Sequence, residues 1–311
     1  MNRRQFVRAL GLGTLAARLP SIASADPVPQ IAITMDDPNL EPTPRFSPEE
    51  RNARILAALR NHRDLRAALF VCGKRVDHDA GKRLLQGWND AGHSLGNHTY
   101  SHSFYHSAKI GFTDYRDDTL KCEALIKDFP QFKRLFRFPF LKEGDTVEKR
   151  DRMRSFLNER GYRMGYVTVD ASDWYVDQRL NERLKRDPSA PVVPYRDFYL
   201  RHIWERATFY NGLARQVLRR QVRHTLLIHH SLLNALFLPD LLRMFESRGW
   251  RWIHADESFQ DPLFAARPNI LPAGESIVWA LAKETGRFDK MLRYPGEDGE
   301  YEKAAMDTLG L

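Results

Sequence analysis

The stretch GNHTYSH carries two histidines four residues apart, His98 and His102, and that spacing raises the question of a metal site. If the stretch is helical, the two imidazoles lie on one side, about a turn apart. Alone, such a pair more often caps a helix or lines a solvated face. There is no HExxH glutamate between them to act as a base. The missing groups stand about sixty residues upstream, in TMDDP, where Asp36 and Asp37 are adjacent. Neighbouring carboxylates raise each other's pKa unless cations neutralise them. A divalent cation and an arginine let both stay ionised and take different roles, one as ligand and one as base. Two histidines, one carboxylate and an open water position make a hydrolytic zinc site. Amide hydrolysis also needs an acid for the leaving nitrogen. His229 is the best candidate, since imidazolium titrates near neutral pH, although in isolation it would read as a core histidine.

These residues need elements that bring them together. Short apolar runs alternate with amphipathic stretches. QIAIT, RAALFVC, RLFRFPF, YRMGYVTVD, HTLLIHH and WRWIHA read as strands. SPEERNARILAALRNH reads as a helix with Ser47 as N-cap and Glu50 closing a capping box. GKRLLQGWNDAG, DYRDDTLKCEALIKDF, EKRDRMRSFLNERG and LPDLLRMFESRG read as further helices. The alternation predicts parallel β-structure covered by helices, either a barrel or a doubly wound sheet. The polar residues of interest fall where the apolar strands end, and in such folds the carboxyl ends of the strands form one mouth. Two regions break the rhythm. Residues 175–222 form a helix-prone insert around DPSAPVVP, and residues 263–311 an irregular C-terminal extension.

Taken in order, TMDDP, HTYSH, RFPF, DASDW and LLIHH resemble the five motifs of the polysaccharide deacetylases, the NodB-homology domain of carbohydrate esterase family 4. The resemblance covers roughly residues 30–260. It implies an α/β fold, a distorted (β/α)7-type barrel, and metal-dependent removal of acetyl groups from sugar polymers. It further implies that Asp36 is the general base and that Asp37, His98 and His102 hold the metal. Arg137 would hold the base carboxylate, and the Phe140 position would supply a backbone N–H to the oxyanion. His229 would be the general acid, with Asp173 charging and orienting it, and Trp174 would help form the acetyl-sized floor. Zinc suits the ligand set, and cobalt, nickel or manganese fit the same ligands. Two positions depart from the family pattern: Pro38 stands where a glycine is usual and His230 where an aspartate is common. Both bear on substrate rather than on activity. His93 is expected to be structural, and His230 to pack or hydrogen-bond structurally, with substrate contact the alternative. Tyr100 and Phe104 are expected to pack in the core, with stacking on a sugar ring the alternative.

Composition agrees with a globular enzyme. The first 25 residues, with Arg3 and Arg4 ahead of a weakly apolar stretch and Ala23-Ser24-Ala25 at its end, read as a twin-arginine-like export signal cleaved after Ala25. The expected organisation is thus a signal over 1–25, a deacetylase domain over 26–262 that contains the insert, and the extension over 263–311. A periplasmic or extracellular location follows. Four of the formal +8 charges are arginines of that signal, so the remainder carries about +4, too little to argue for nucleic-acid binding. No apolar run beyond the N-terminus approaches the roughly 20 residues of a membrane span. Cys72 and Cys122 are expected to be buried thiols rather than a bridge. The reading is a deacetylase acting on an N-acetylated envelope or extracellular glycan. A hydrolase of a small non-peptide amide on the same barrel is the second reading, and a non-catalytic glycan-binding protein the third.

Overall fold

The computed structural model describes residues 27–294 and 298–311, so the export signal expected over 1–25 lies outside the described residues. The first half alternates β1 (Gln30–Asp36), α1 (Pro48–Asn61), β2 (Ala68–Val71), α2 (Asp79–Asp90), β3 (Ser94–Asn97), α3 (Phe112–Ile126) and β4 (Phe132–Phe136). Then come β5 (Lys142–Gly144), α4 (Val147–Glu159), β6 (Arg163–Met164), α5 (Asp173–Arg186) and α6 (Val193–Leu218). The chain continues through β7 (Arg223–His229), α7 (Leu232–Ser247), β8 (Arg251–Trp252) and α8 (Ala255–Ser258), and ends with β9 (Ala273–Gly274), α9 (Ile277–Glu284) and α10 (Glu300–Thr308). No helix among the described residues is long and apolar enough to cross a membrane.

Strand β1 is the centre of the sheet. It pairs in parallel with β2, with β7 along its whole length, and with β8 at its first two residues. The order β6-β4-β3-β2-β1-β7, with β8 beside β1, makes a seven-stranded parallel sheet. The sheet closes on itself because the chain leaving β6 crosses to β7. There Val169 N–H donates to Thr225 O at 2.9 Å and Leu227 N–H to Val169 O at 3.1 Å. The result is the distorted α/β barrel that the resemblance implies, one of the two architectures the alternation allows. Ile31, Ala32, Ile33 and Met35 are all fully buried. That is the continuous apolar run of a strand covered on both faces.

Three expectations needed adjustment. The strand expected over 162–170 pairs regularly only at Arg163–Met164. At Gly165 a Cβ would overlap the Phe70 ring, so the chain passes that ring as bare backbone and leaves the regular ladder. Helix α7 begins at Leu232, capped by Ser231, and runs through Pro239 rather than starting beside it. Proline favours helix starts, which is why the sequence suggests the later boundary. The HTYSH stretch is not helical. β3 ends at Asn97, and Thr99 and His102 both take left-handed backbone, with φ of 62° and 58°. The capping box at Ser47 forms as read, with Glu50 N–H on Ser47 Oγ and Ser47 N–H on Glu50 Oε2.

The C-terminal segment is woven into the strand-end side of the barrel. β9 pairs antiparallel with β5, and Ile277 N–H donates to Val167 O at 2.8 Å. Helix α9 packs on α6, and Glu302 of α10 meets His202 of α6 at 3.4 Å.

Candidate active site

Asp36, Asp37, His98, His102, Phe140, Trp174 and His229 line one cavity of about 860 Å3 at the carboxyl ends of β1, β3, β4 and β7, with Arg137 and Asp173 bonded to Asp36 and His229 from behind. Asp36 is the last residue of β1 and Asp37 the first beyond it. Asp37 has a φ of 59°, in the left-handed region, although a proline follows. A residue before proline is normally held in extended backbone, so this turn is strained. His98 follows β3, and His102 returns to it through the turn at Thr99, where His102 N–H donates to Thr99 Oγ1 at 3.2 Å. The two rings lie 5.0 Å apart, brought together by that turn and not by a helix.

Asp37, His98 and His102 each offer one ligand atom, and the three atoms lie within 4.8 Å of one another. Asp37 Oδ1 is buried without a hydrogen-bond partner. A buried carboxylate oxygen left without a donor is costly, and a cation satisfies it. His98 Nδ1 lies 2.8 Å from the Arg137 carbonyl, which can only accept, so Nδ1 carries the proton and Nε2 is left as the free lone pair. Burial pushes His98 down to about 3 and lowers His102 as well. Both rings are therefore held neutral, the form that binds a metal. The cluster fits a divalent cation.

The base candidate is held from the opposite side. Arg137 donates to Asp36 Oδ1 at 2.6 Å, to Thr34 Oγ1 at 2.9 Å and to the Gly165 carbonyl at 2.8 Å, with its guanidinium stacked 3.9 Å from the Phe70 ring. Burial raises the Asp36 carboxyl above its ordinary value, against the opposing pull of Arg137. The acid candidate sits on the other wall. His229 Nδ1 is 2.7 Å from Asp173 Oδ1, and His229 N–H donates to Asp173 Oδ2 at 2.8 Å. Burial pushes the imidazole down, but the Asp173 carboxylate outweighs it and lifts His229 to about 9. Asp173 is fully buried and lies at the first turn of α5, where the helix dipole favours a carboxylate.

Several participants were not apparent in the sequence. Asn234 donates to Asp173 Oδ2 and to the His229 carbonyl, both at 2.9 Å, and is itself fixed by Tyr199 at 2.6 Å. Its position four residues after the LLIHH motif was the available clue. Arg75 approaches Asp37 Oδ2 at 3.7 Å from the segment after β2, with no motif to mark it. Lys142 and Glu275, an ion pair, also line the cavity. Trp174 and Phe140 do line the cavity, but at its rim, 40% and 53% exposed. Phe104, expected in the core, is 44% exposed beside them and meets the Phe140 ring edge-on at 5.5 Å. Tyr100 packs partly buried instead, under the Lys121 ammonium.

His93 behaves as the structural histidine expected, whereas His230 packs and also lines the cavity. His93 Nδ1 accepts from Ala67 N–H at 3.1 Å and packs on Trp88, while His230 lies buried with Nε2 3.1 Å from Asn52 Oδ1. Both cysteines are buried free thiols. Burial raises Cys72 to about 11 and Cys122 further still, which keeps both unreactive.

A parallel α/β barrel that gathers carboxylates and imidazoles at its strand ends has the architecture of a barrel hydrolase. Comparison with known proteins points the same way. Residues 23–164 match the family described as polysaccharide deacetylase. The match takes in the TMDDP, HTYSH and RFPF motifs, while Asp173 and His229 lie beyond it. A peptidoglycan-N-acetylglucosamine deacetylase of Bacillus cereus is 29% identical over 149 residues, 47% of this chain and 46% of that protein. The chain thus aligns with about half the length of this curated relative. Among solved structures, a family 4 carbohydrate esterase from Streptomyces lividans in complex with acetate is 20% identical, with a TM-score of 0.48 over 75% of this chain and 97% of that one. A family 4 pseudoenzyme from Bacillus anthracis is also 20% identical, with a TM-score of 0.48 over 74% of this chain and 64% of that one.

Proposed function

We propose that the protein is a metal-dependent hydrolase that removes acetyl groups, from nitrogen first of all, from an envelope or extracellular polysaccharide. The observation that carries this reading is the convergence of the Asp37–His98–His102 cluster with two separately charged groups, Asp36 and His229, in one cavity. A divalent cation held by those three residues, zinc by preference, supplies Lewis acidity that polarises the acetyl carbonyl and acidifies a water.

The chain's own groups do the rest. Asp36, immobilised by Arg137, takes the proton of the attacking water. The backbone N–H of Phe140 faces the developing oxyanion, a contact of a kind worth about 3 kcal/mol. His229, kept protonated by Asp173, delivers its proton to the leaving nitrogen of the sugar. Asn234 holds Asp173 so that His229 presents Nε2 to the cavity. The exposed rings of Phe104, Phe140 and Trp174 at the rim offer flat faces for sugar rings.

The cavity also bears on the choice between a polymer and a small amide. Helix α5, the start of the insert, lines one wall with Asp177, Asn181 and Lys185. On the polymer reading, that wall is where the sugars flanking the acetylated unit lie. The B. cereus relative, by its name, acts on peptidoglycan N-acetylglucosamine, and the expected export signal would place this protein in the same compartment as such a glycan.

The test is acetate release from acetylated peptidoglycan, chitin and poly-glucosamine fragments by the purified protein. Release from at least one polymer is expected, abolished by a chelator and restored by zinc. Release from small acetamides alone would select the second reading.

The raised pKa of His229 adds a pH prediction. The acid must be protonated to act, so the wild-type rate should hold through neutrality and fall as pH rises through about 9. In Asp173→Asn the largest lifting charge is gone, leaving only the more distant Asp36 and Asp37, while burial still disfavours imidazolium. The alkaline limb should then move down by one unit or more in a pH–rate profile. An unmoved limb would remove His229 from the acid role.

A further inference from the structure

Phe140 and Leu141 are consecutive non-glycine residues that both sit at φ 56°, in the left-handed region. Such residues are strained and persist only where the surroundings over-determine them. The turn they form carries the N–H that the proposed function aims at the oxyanion, so its shape matters to the reaction. What holds it comes from the far end of the chain.

Glu275 N–H donates to the Leu141 carbonyl at 2.9 Å, and β9 pairs with β5 directly after the turn, in the register Lys142–Gly274 and Gly144–Ala273. Gly274 has a φ of 132°, and a Cβ there would overlap the Leu141 carbonyl oxygen, so only glycine lets the two backbones approach this closely. The Lys142 ammonium then closes on the Glu275 carboxylate. Both side chains are more than nine-tenths buried, and both face the cavity. Glu275 itself takes a φ of 70°, a third strained residue held in the same knot. His106, from the loop after His102, adds a contact from the other side, with Nε2 2.9 Å from the Ala273 carbonyl.

We propose that residues 273–275 of the C-terminal segment form a clamp that fixes the Pro139–Leu141 turn in its reactive shape, and that Lys142, Glu275 and Gly274 are positioning residues for the hydrolysis. This rests on the deacetylase reading. It assigns a role to a segment more than a hundred residues beyond the family match, which ends at residue 164.

The clamp predicts a kinetic signature that a merely structural role does not produce. In the full-length protein, Gly274→Ala and the paired Lys142→Met/Glu275→Gln variant are compared with wild type. The paired variant removes both charges together, so neither is left buried alone. Each variant should lose at least tenfold in kcat, with KM for an acetylated oligosaccharide and zinc affinity within about threefold of wild type. Lys142→Arg should recover most of the loss. Independently of turnover, hydrogen exchange should accelerate at least tenfold over residues 138–144 in Gly274→Ala, with residues 94–102 unchanged. Unchanged kcat and unchanged exchange in both variants would overturn the clamp, as would a loss that tracks weakened zinc binding or a general fall in melting temperature. A wild-type protein that releases no acetate while the exchange contrast holds would count against the deacetylase reading and leave the clamp standing.

Discussion

Asp36→Asn should abolish acetate release to within roughly 10²–10⁴-fold below wild type in kcat, with KM little changed, while the protein still binds one equivalent of zinc. The substitution keeps size and shape and removes only the proton acceptor. Asp36 is not among the three clustered ligand atoms, so metal binding should survive. The amide oxygen can still accept from Arg137, but the buried guanidinium loses its counter-charge at 2.6 Å. The variant should therefore also melt at lower temperature, and the kinetic assay must be run below that transition. Retention of more than a tenth of wild-type kcat by a folded, zinc-loaded variant would remove Asp36 from the base role. A parallel loss of zinc would instead make it a ligand.

His98→Ala should have an equally large effect by a different route. It removes one of three ligands and leaves the Arg137 carbonyl without its partner at 2.8 Å. It also empties space beside the Phe70 ring, whose centroid lies 6.5 Å from the imidazole. Zinc content should fall well below one equivalent per chain and acetate release to background. A ligand that binds only the folded state stabilises it by about 2.7 kcal/mol at a hundred times its Kd. The wild-type melting temperature should therefore climb with added zinc, and that of His98→Ala should not. A variant that keeps both its zinc and the zinc-dependent rise would show that the cluster is not the metal site.

How much of this was legible beforehand depends on whether a signal was local. The alternation of apolar runs and amphipathic stretches marked the parallel fold, because strand burial and helix periodicity are written in consecutive residues. The capping box at Ser47 was legible for the same reason. Failures came where long-range contacts override local preference. Gly165 leaves the strand because the Phe70 ring occupies the space, and α7 runs through Pro239 because its apolar face is buried on both sides of that residue. The histidine pair has helical spacing, which left open whether a helix presents it, and a tight loop with left-handed residues brings the rings together. Phe104 looked like core and stands at the rim, since an aromatic side chain in a loop carries no periodicity to betray which way it faces.

By itself the sequence determined which residue types are available for chemistry and that they stand at strand ends: Asp36, Asp37, His98, His102, Arg137, Asp173 and His229. Their identity and order suffice for a family resemblance because the chemistry demands those groups. Only the tertiary structure decided which carboxylate oxygen is left without a donor, which imidazole nitrogen is free, and which histidine is raised rather than lowered. Those properties depend on burial and on partners distant in the chain, Arg137 for His98 and Asp173 for His229. The same holds for Glu275 and Gly274. Nothing around them in the chain points to the oxyanion turn, and they reach it only because β9 folds back across the barrel mouth to pair with β5.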